Sequence, residues 1–412
     1  MSYIFPTIER IEDVLPAIEG RDEFIVAEKD GYKVVNYVVA FEDTFPPVNT
    51  VRMANGDEQM RGEGSDPIFE TKEDYHAALR RECRGLIFDS EGALISRRYH
   101  KFFNVNERDE TQMSNIDWTR PHRILEKLDG SMISPILVRG NLRWTTKMGI
   151  TDVAMQAEVH VAMRPVYVDF ALQCIKDGFT PIFEWCSRAS RIVLDYAEDQ
   201  LVLTGVRVNR SGEYMDYRLM VGLAKYWHLP VVQAHEITED LINTIAKWEG
   251  SEGVVVRFND GHMVKVKAEW YVIRHKSKEA ITREKNVIEY IVNDRVDDVL
   301  PFLQPEDQDR LKAFQREFWE GFDQVVNAYD KYWNMVQTAG LDRKRYALEW
   351  KPTIEPQDQF APVYVFGRFS GKDGRDLVLE HIRRNVGTQT KVNEVRGMWN
   401  GARWEYSFEG DA

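Results

Sequence analysis

Glu126-Lys127-Leu128-Asp129-Gly130-Ser131 lies between two runs with the character of β-strands. Arg123-Ile124-Leu125 before it is short and apolar. Met132-Ile133-Ser134-Pro135-Ile136-Leu137-Val138 after it runs to a turn at Gly140-Asn141. A lysine at the mouth of a strand suits one kind of chemistry, attack of its amine on the α-phosphorus of a nucleoside triphosphate. Gly130 lets backbone approach a ligand where a side chain would block it. Asp129 is placed to orient the lysine or to accept from a ribose. By itself K-x-D-G arises by chance in about one chain of this length in ten, so the rest of the sequence must decide.

A chain of 412 residues predicts two domains, and its 43% hydrophobic content is enough for more than one core. No run reaches the length of a membrane-spanning helix. The first twenty residues lack the basic start and apolar run of a secretion signal. Cys83, Cys174 and Cys186 are few and far apart, which excludes a disulfide framework or zinc knuckle and predicts a reducing, cytoplasmic setting. A net charge of −13 excludes indiscriminate polyanion binding but leaves room for a local basic groove.

Hairpins are predicted from Phe24 to Ala40 and from Cys83 to Arg98, with a Gly-rich acidic loop over Asn55–Pro67. One or two helical turns fall between them, over Asp74–Arg81. Leu142–Lys147 continues the strands. A helical region over Asp152–Lys176 must be kinked or divided at Pro165. Strands return at Thr180–Cys186, Leu201–Val208, Gly253–Phe258 and Met263–Lys267. Many antiparallel strands with a few helices between them predict an α+β domain. Beyond Ala268 the pattern turns helical. Leu311, Phe314, Phe318, Val325, Tyr329, Tyr332 and Val336 form an amphipathic stripe that reads as core. The boundary is set near residue 275, giving a first domain over 1–275 and an all-α domain over 276–412.

Further groups fit the lysine chemistry. Lys265-Val266-Lys267 puts two lysines on one face of a strand, which suits an anion. Glu252 heads the apolar strand Val254-Val255-Val256 and could hold a divalent cation. Glu184 stands between Phe183 and Trp185. Arg84, Lys101 and Lys147 each place one cation beside a strand or turn. Each alone reads as well as surface charge or a turn residue.

In this order the motifs resemble the covalent nucleotidyltransferases, the ATP-dependent ligases and capping enzymes. The stretches ECRGLIFD, KFFNVNE, RIVLDY, EGVVV and VKVKAEWYV resemble more closely the bacteriophage RNA ligase 1 family, over roughly residues 30–275. The resemblance thins through Asp297-Asp298 and Leu341–Ala347. The acidic insert near Asn55–Pro67 departs from it, and the segment from Trp350 onward matches only loosely.

The resemblance implies an antiparallel-sheet adenylyltransferase domain followed by a helical domain. It makes Lys127 the AMP-bearing lysine and gives Lys265 and Lys267 the charge on the α-phosphate and leaving pyrophosphate. Tyr37, Arg84, Lys101 and Lys147 would contact ribose and phosphates. Glu126, Asp129 and Gly130 flank the nucleotide, and Glu184 holds its ribose. Glu252 serves Mg²⁺ (or Mn²⁺), with Asp297 adding a water-mediated contact. The activity implied is ATP-dependent joining of 5′-phosphate and 3′-hydroxyl ends of single-stranded RNA or nicked tRNA, by a monomer in the cytoplasm of an infected bacterium, as tRNA repair. The alternatives are a DNA ligase or capping enzyme, which would carry a β-barrel after Lys267, and a catalytically inactive RNA-binding relative, which would lack Lys127 or Lys267.

Overall fold

A computed structural model describes residues 3–50, 69–237, 240–353 and 358–406. The expected acidic loop at 55–67 lies outside them. The chain divides into two compact units, Met1–Val272 and a second beginning at Ile273.

Three sheets build the first unit. The first joins β1 (Phe24–Lys29), β2 (Tyr32–Tyr37), β3 (Arg84–Asp89) and β4 (Leu94–Ser96) in that order, every pair antiparallel. Its buried Val35, Leu86 and Phe88 pack with Leu79 of the helix Lys72–Glu82. That helix starts where the Thr71 hydroxyl accepts from the Asp74 amide, satisfying an end donor.

In the third sheet, β6 (His122–Glu126) lies between β11 (Ala234–His235) and β12 (Gly253–Phe258). β13 (Met263–Lys267) pairs antiparallel with β12 and parallel with β5 (Phe103–Asn104). The second sheet has the order β10-β9-β7-β8, formed by β7 (Ser131–Val138), β8 (Asn141–Thr145), β9 (Phe179–Cys186) and β10 (Gln200–Val208). Residues 127–130 are therefore the span by which the chain leaves one sheet and enters another.

Helices Asp152–Ala162 and Pro165–Lys176 cover the second sheet, burying Ala157, Val161, Phe170 and Ala171 against Trp144 and Phe183. Pro165 divides them rather than kinking one. It occupies the first turn of the second helix, where its missing N–H costs nothing. Helices Tyr217–Tyr226 and Leu241–Ala246 were not anticipated in the sequence.

A fully buried ion cluster ties these layers together. The Glu82 carboxylate meets Arg97 Nε at 3.0 Å and Arg207 Nη2 at 2.8 Å. Burial works to raise its pKa, but the two guanidinium groups outweigh burial and bring it down to about 2. The remaining Arg97 nitrogens donate to the carbonyls of Pro6, Asn209 and Arg210.

The second unit is helical, with no β-strand among its described residues. Its longest helix, Pro305–Thr338, buries Leu311, Phe314, Phe318, Phe322 and Val326. The stripe runs through Val326 rather than Val325, because steps of four from Phe318 follow the helical repeat.

Candidate active site

Sheet register brings Lys127 to its partners. β6 pairs with β12, placing Glu126 opposite Val254, and the Lys127 amide donates to the Gly253 carbonyl at 2.9 Å. β12 pairs in turn with β13, placing Gly253 opposite Lys267 and Val255 opposite Lys265. The Glu252 side chain, 3% exposed, lies between two amines. Its oxygens are 2.7 Å from Lys127 Nζ and 3.0 Å from Lys267 Nζ.

More cations surround this pair. Lys265 Nζ lies 5.4 Å from the Phe102 ring centroid. Desolvation, then the charges of Lys101, Lys127, Arg84 and Lys267, press the Lys265 pKa down to about 7. Lys101 Nζ sits over three rings, 5.1 Å from Tyr37, 5.6 Å from Phe45 and 5.4 Å from Phe103. Such faces attract a cation and hold its long side chain in place. Lys147 Nζ is 5.9 Å from the Tyr37 ring. Burial acts to raise the Tyr37 phenol, yet Arg84, Lys101 and Lys147 together draw it below its ordinary value. Arg84, Lys101, Lys127, Lys147, Lys265 and Lys267 thus form one basic cluster in an acidic chain. Among the described residues the cations of this cluster outnumber the carboxylates ion-paired with them, which suits a polyphosphate.

Two expected site residues point elsewhere. Asp129 is buried, and its carboxylate accepts from the Val193 amide at 2.7 Å, the Leu194 amide at 2.6 Å and the Tyr271 hydroxyl at 2.6 Å. Its own amide donates to the Tyr196 hydroxyl. It anchors the span rather than facing a ribose. Gly130 is needed for a close contact within the protein itself. A Cβ there would meet the Trp185 carbonyl oxygen at 2.4 Å and Glu184 Cγ at 3.1 Å. The same contact places Glu184 beside the lysine span.

Tyr196, Tyr271 and Phe102 escaped the sequence reading. Tyr271 follows Lys267 by four residues in VKVKAEWYV, and Phe102 follows Lys101 directly. For Tyr271 and Phe102 that proximity to motif lysines was the available signal.

A divalent cation would find one carboxylate in this cluster, Glu252, already between two ammonium groups. Among the described residues no group of three or more His, Cys, Asp or Glu side chains converges on a point. That fits an ion completed by phosphate oxygens and water, the usual arrangement for Mg²⁺ beside a nucleotide, and not a protein cage. Asp297 belongs to the second unit, where it is exposed in the turn Val296–Asp298.

Residues 82–271 match a family described as RNA ligase. A protein of Thermovibrio ammonificans provisionally named RNA ligase is 29% identical over 262 residues, covering 59% of this chain and 68% of its own. RNA ligase 1 of bacteriophage TS2126 is 24% identical over 341 residues, covering 77% of this chain and 82% of its own. Among solved structures, an archaeal ATP-dependent RNA ligase aligns with 65% of this chain at a TM-score of 0.41 and 11% identity. The alignment spans 64% of that protein's length.

Proposed function

We propose, from the premise that residues 82–271 match the RNA ligase family, that this protein is an ATP-dependent RNA ligase working through a lysyl-AMP intermediate. The observation that carries this reading is Lys127 sharing one buried carboxylate with Lys267 amid further unneutralised cations. As an ammonium ion paired to Glu252, Lys127 is not nucleophilic. The amine must shed a proton before it attacks, and the cations around it favour that loss. Glu252 Oε2, at 2.7 Å, is within reach to take a proton.

The Lys127 nitrogen then attacks the α-phosphorus. A P–N bond forms, the bond to the oxygen bridging to the β-phosphate breaks, and the nitrogen's remaining extra proton passes to an oxygen of the departing pyrophosphate. Lys265 and Lys267 offset charge on the phosphoryl oxygens, and Arg84, Lys101 and Lys147 seat the polyphosphate. A Mg²⁺ ion held by Glu252 and the phosphates would add neutralising charge when bound. AMP next passes to an RNA 5′-phosphate, and the RNA 3′-hydroxyl displaces it to seal the strand.

The helical character of the chain beyond Lys267 favours this reading over DNA ligation or capping, which call for a β-barrel there. Lys127 and Lys267 are both present, against an inactive relative. A role in repairing nicked tRNA within an infected cell is the finer form of the proposal, with the helical unit gripping the folded RNA. Within that unit Arg345 is paired with Glu349, Arg384 with Glu380, and Arg383 donates to the Val292 carbonyl. Arg343 and Lys344 are therefore the better candidates for phosphate contact.

The test is incubation with α-labelled ATP and Mg²⁺, followed by addition of RNA. We expect label fixed to the protein, lost in Lys127→Ala, and released on sealing. Undiminished labelling of the Ala variant would overturn the assignment. Equal sealing of nicked tRNA and a short oligonucleotide by Arg343→Gln/Lys344→Gln would remove the tRNA-grip refinement.

A further inference from the structure

Arg97 and Arg98 are adjacent and both buried, at 0% and 1% exposure, but they have opposite surroundings. Arg97 ends on the Glu82 carboxylate. Among the described residues Arg98 meets no carboxylate. Its Nη1 donates to the Gly85 carbonyl, and its Nη2 to the Thr145 hydroxyl and, at 3.2 Å, the Thr145 carbonyl. A guanidinium without a carboxylate in a protein interior is costly. Burial brings its pKa down to about 9, with Tyr32 working against that fall and Arg84 adding to it.

Both acceptors adjoin proposed phosphate ligands. Gly85 follows Arg84 at the start of β3. Thr145 ends β8, two residues before Lys147. The backbones already touch: a Cβ on Gly85 would meet Lys147 Cα at 2.6 Å. Thr145 Oγ1 also donates to the Ser134 carbonyl of β7 at 2.8 Å. The guanidinium therefore clips the first sheet to the second where Arg84 and Lys147 emerge. Its planar fork reaches both strands at once, which a lysine cannot do.

We infer that Arg98 is a positioning residue, which fixes the separation of Arg84 and Lys147 and thereby the seat of the ATP polyphosphate. The inference rests on the adenylylation reading proposed above. It adds a role for a residue that touches neither substrate nor the reacting atoms.

The test measures the rate of lysyl-AMP formation against ATP concentration, corrected for folded fraction by circular dichroism. Arg98→Lys keeps the charge but loses the fork. It should raise the half-saturating ATP concentration about tenfold while the maximal rate falls less, because misplaced ligands weaken seating before chemistry. Thr145→Val removes the hydroxyl with little change of volume, and carries the test if Arg98→Lys does not fold. It should shift the same quantity in the same direction.

Lys147→Gln supplies the decisive background. If Arg98 works through Lys147 and Arg84, adding Arg98→Lys to Lys147→Gln should cost clearly less than it does in the wild type. A normal half-saturating ATP concentration in the folded variants, or full additivity with Lys147→Gln, would reduce Arg98 to a core brace. A wild-type protein that takes no label from ATP would overturn the adenylylation reading itself, and this inference with it.

Discussion

Glu82 and Glu252 each sit between two cations, yet the surroundings of the two carboxylates differ. Around Glu82 everything is buried, and the guanidinium groups spend their remaining donors on carbonyls. Around Glu252 the partners are lysines whose side chains are 23% and 29% exposed. Arg84, Lys101 and Lys265 stand nearby and form no ion pair among the described residues. The first arrangement is closed and can only hold the fold together. The second leaves positive charge facing outward and can be rearranged by an anion. Stoichiometry alone does not separate a brace from a reaction centre; access to solvent and surplus charge do.

Removing each carboxylate tests the contrast. Glu82→Ala strands two guanidinium groups in the interior and should cost about 3–5 kcal/mol, lowering the thermal transition of the first unit by roughly 10 °C. The folded fraction should still form lysyl-AMP at the normal rate. The pH dependence has a definite sign. The folded Glu82 pKa, about 2, lies below the ordinary carboxyl value of 4.5. Its contribution is complete above that ordinary value and fades as pH falls toward 2. Glu82→Ala should lose that part of the acid sensitivity in a melting series.

The converse substitution, Glu252→Gln, should slow adenylylation about 100-fold and raise the Mg²⁺ concentration required. It should move the melting temperature little, since both lysines reach water. A collapse of stability with normal turnover in the surviving protein would make Glu252 a second brace and erase the distinction.

The smallest expected effect comes from Lys265. Its folded pKa of about 7 lies below the ordinary 10.5, so between these values the unfolded chain holds the proton that the folded chain has lost. Raising pH through that window should therefore stabilise the fold. In the free enzyme the same titration removes one positive charge from the site as pH passes 7. The kcat/KM for ATP should carry a falling component near that pH. Lys265→Met should flatten both trends, by about two- to threefold in kcat/KM. An unchanged profile in the variant would assign that component to another group.

How legible this was from sequence depended on distance along the chain. β6, β7, β12 and β13 were readable because short apolar runs and alternating lysines are local patterns. Strand alternation alone is enough to put the K-x-K pair on one face. Direction was not readable. Asp129 has the composition of a ligand contact, but its acceptors are filled by Val193, Leu194 and Tyr271, between 64 and 142 residues away. Arg97-Arg98 looks like surface charge, since Glu82 and Thr145, which justify their burial, come from different sheets or helices. The Tyr217–Tyr226 helix was lost among strands, as it is only ten residues long and buries only Met220 and Ala224.

The place of Lys127 between two sheets has a consequence for synthesis. Each strand that flanks β6, and the one bearing Lys265 and Lys267, leaves the ribosome more than a hundred residues after Lys127 itself. A nascent chain that has not reached Met263 carries Lys127 with neither of those cations and no finished sheet beneath it. Contacts this distant along the chain form late. Fragments from stalled translation should therefore be inert toward nucleotide, and activity should appear as a step, once the last strand of the sheet has been made.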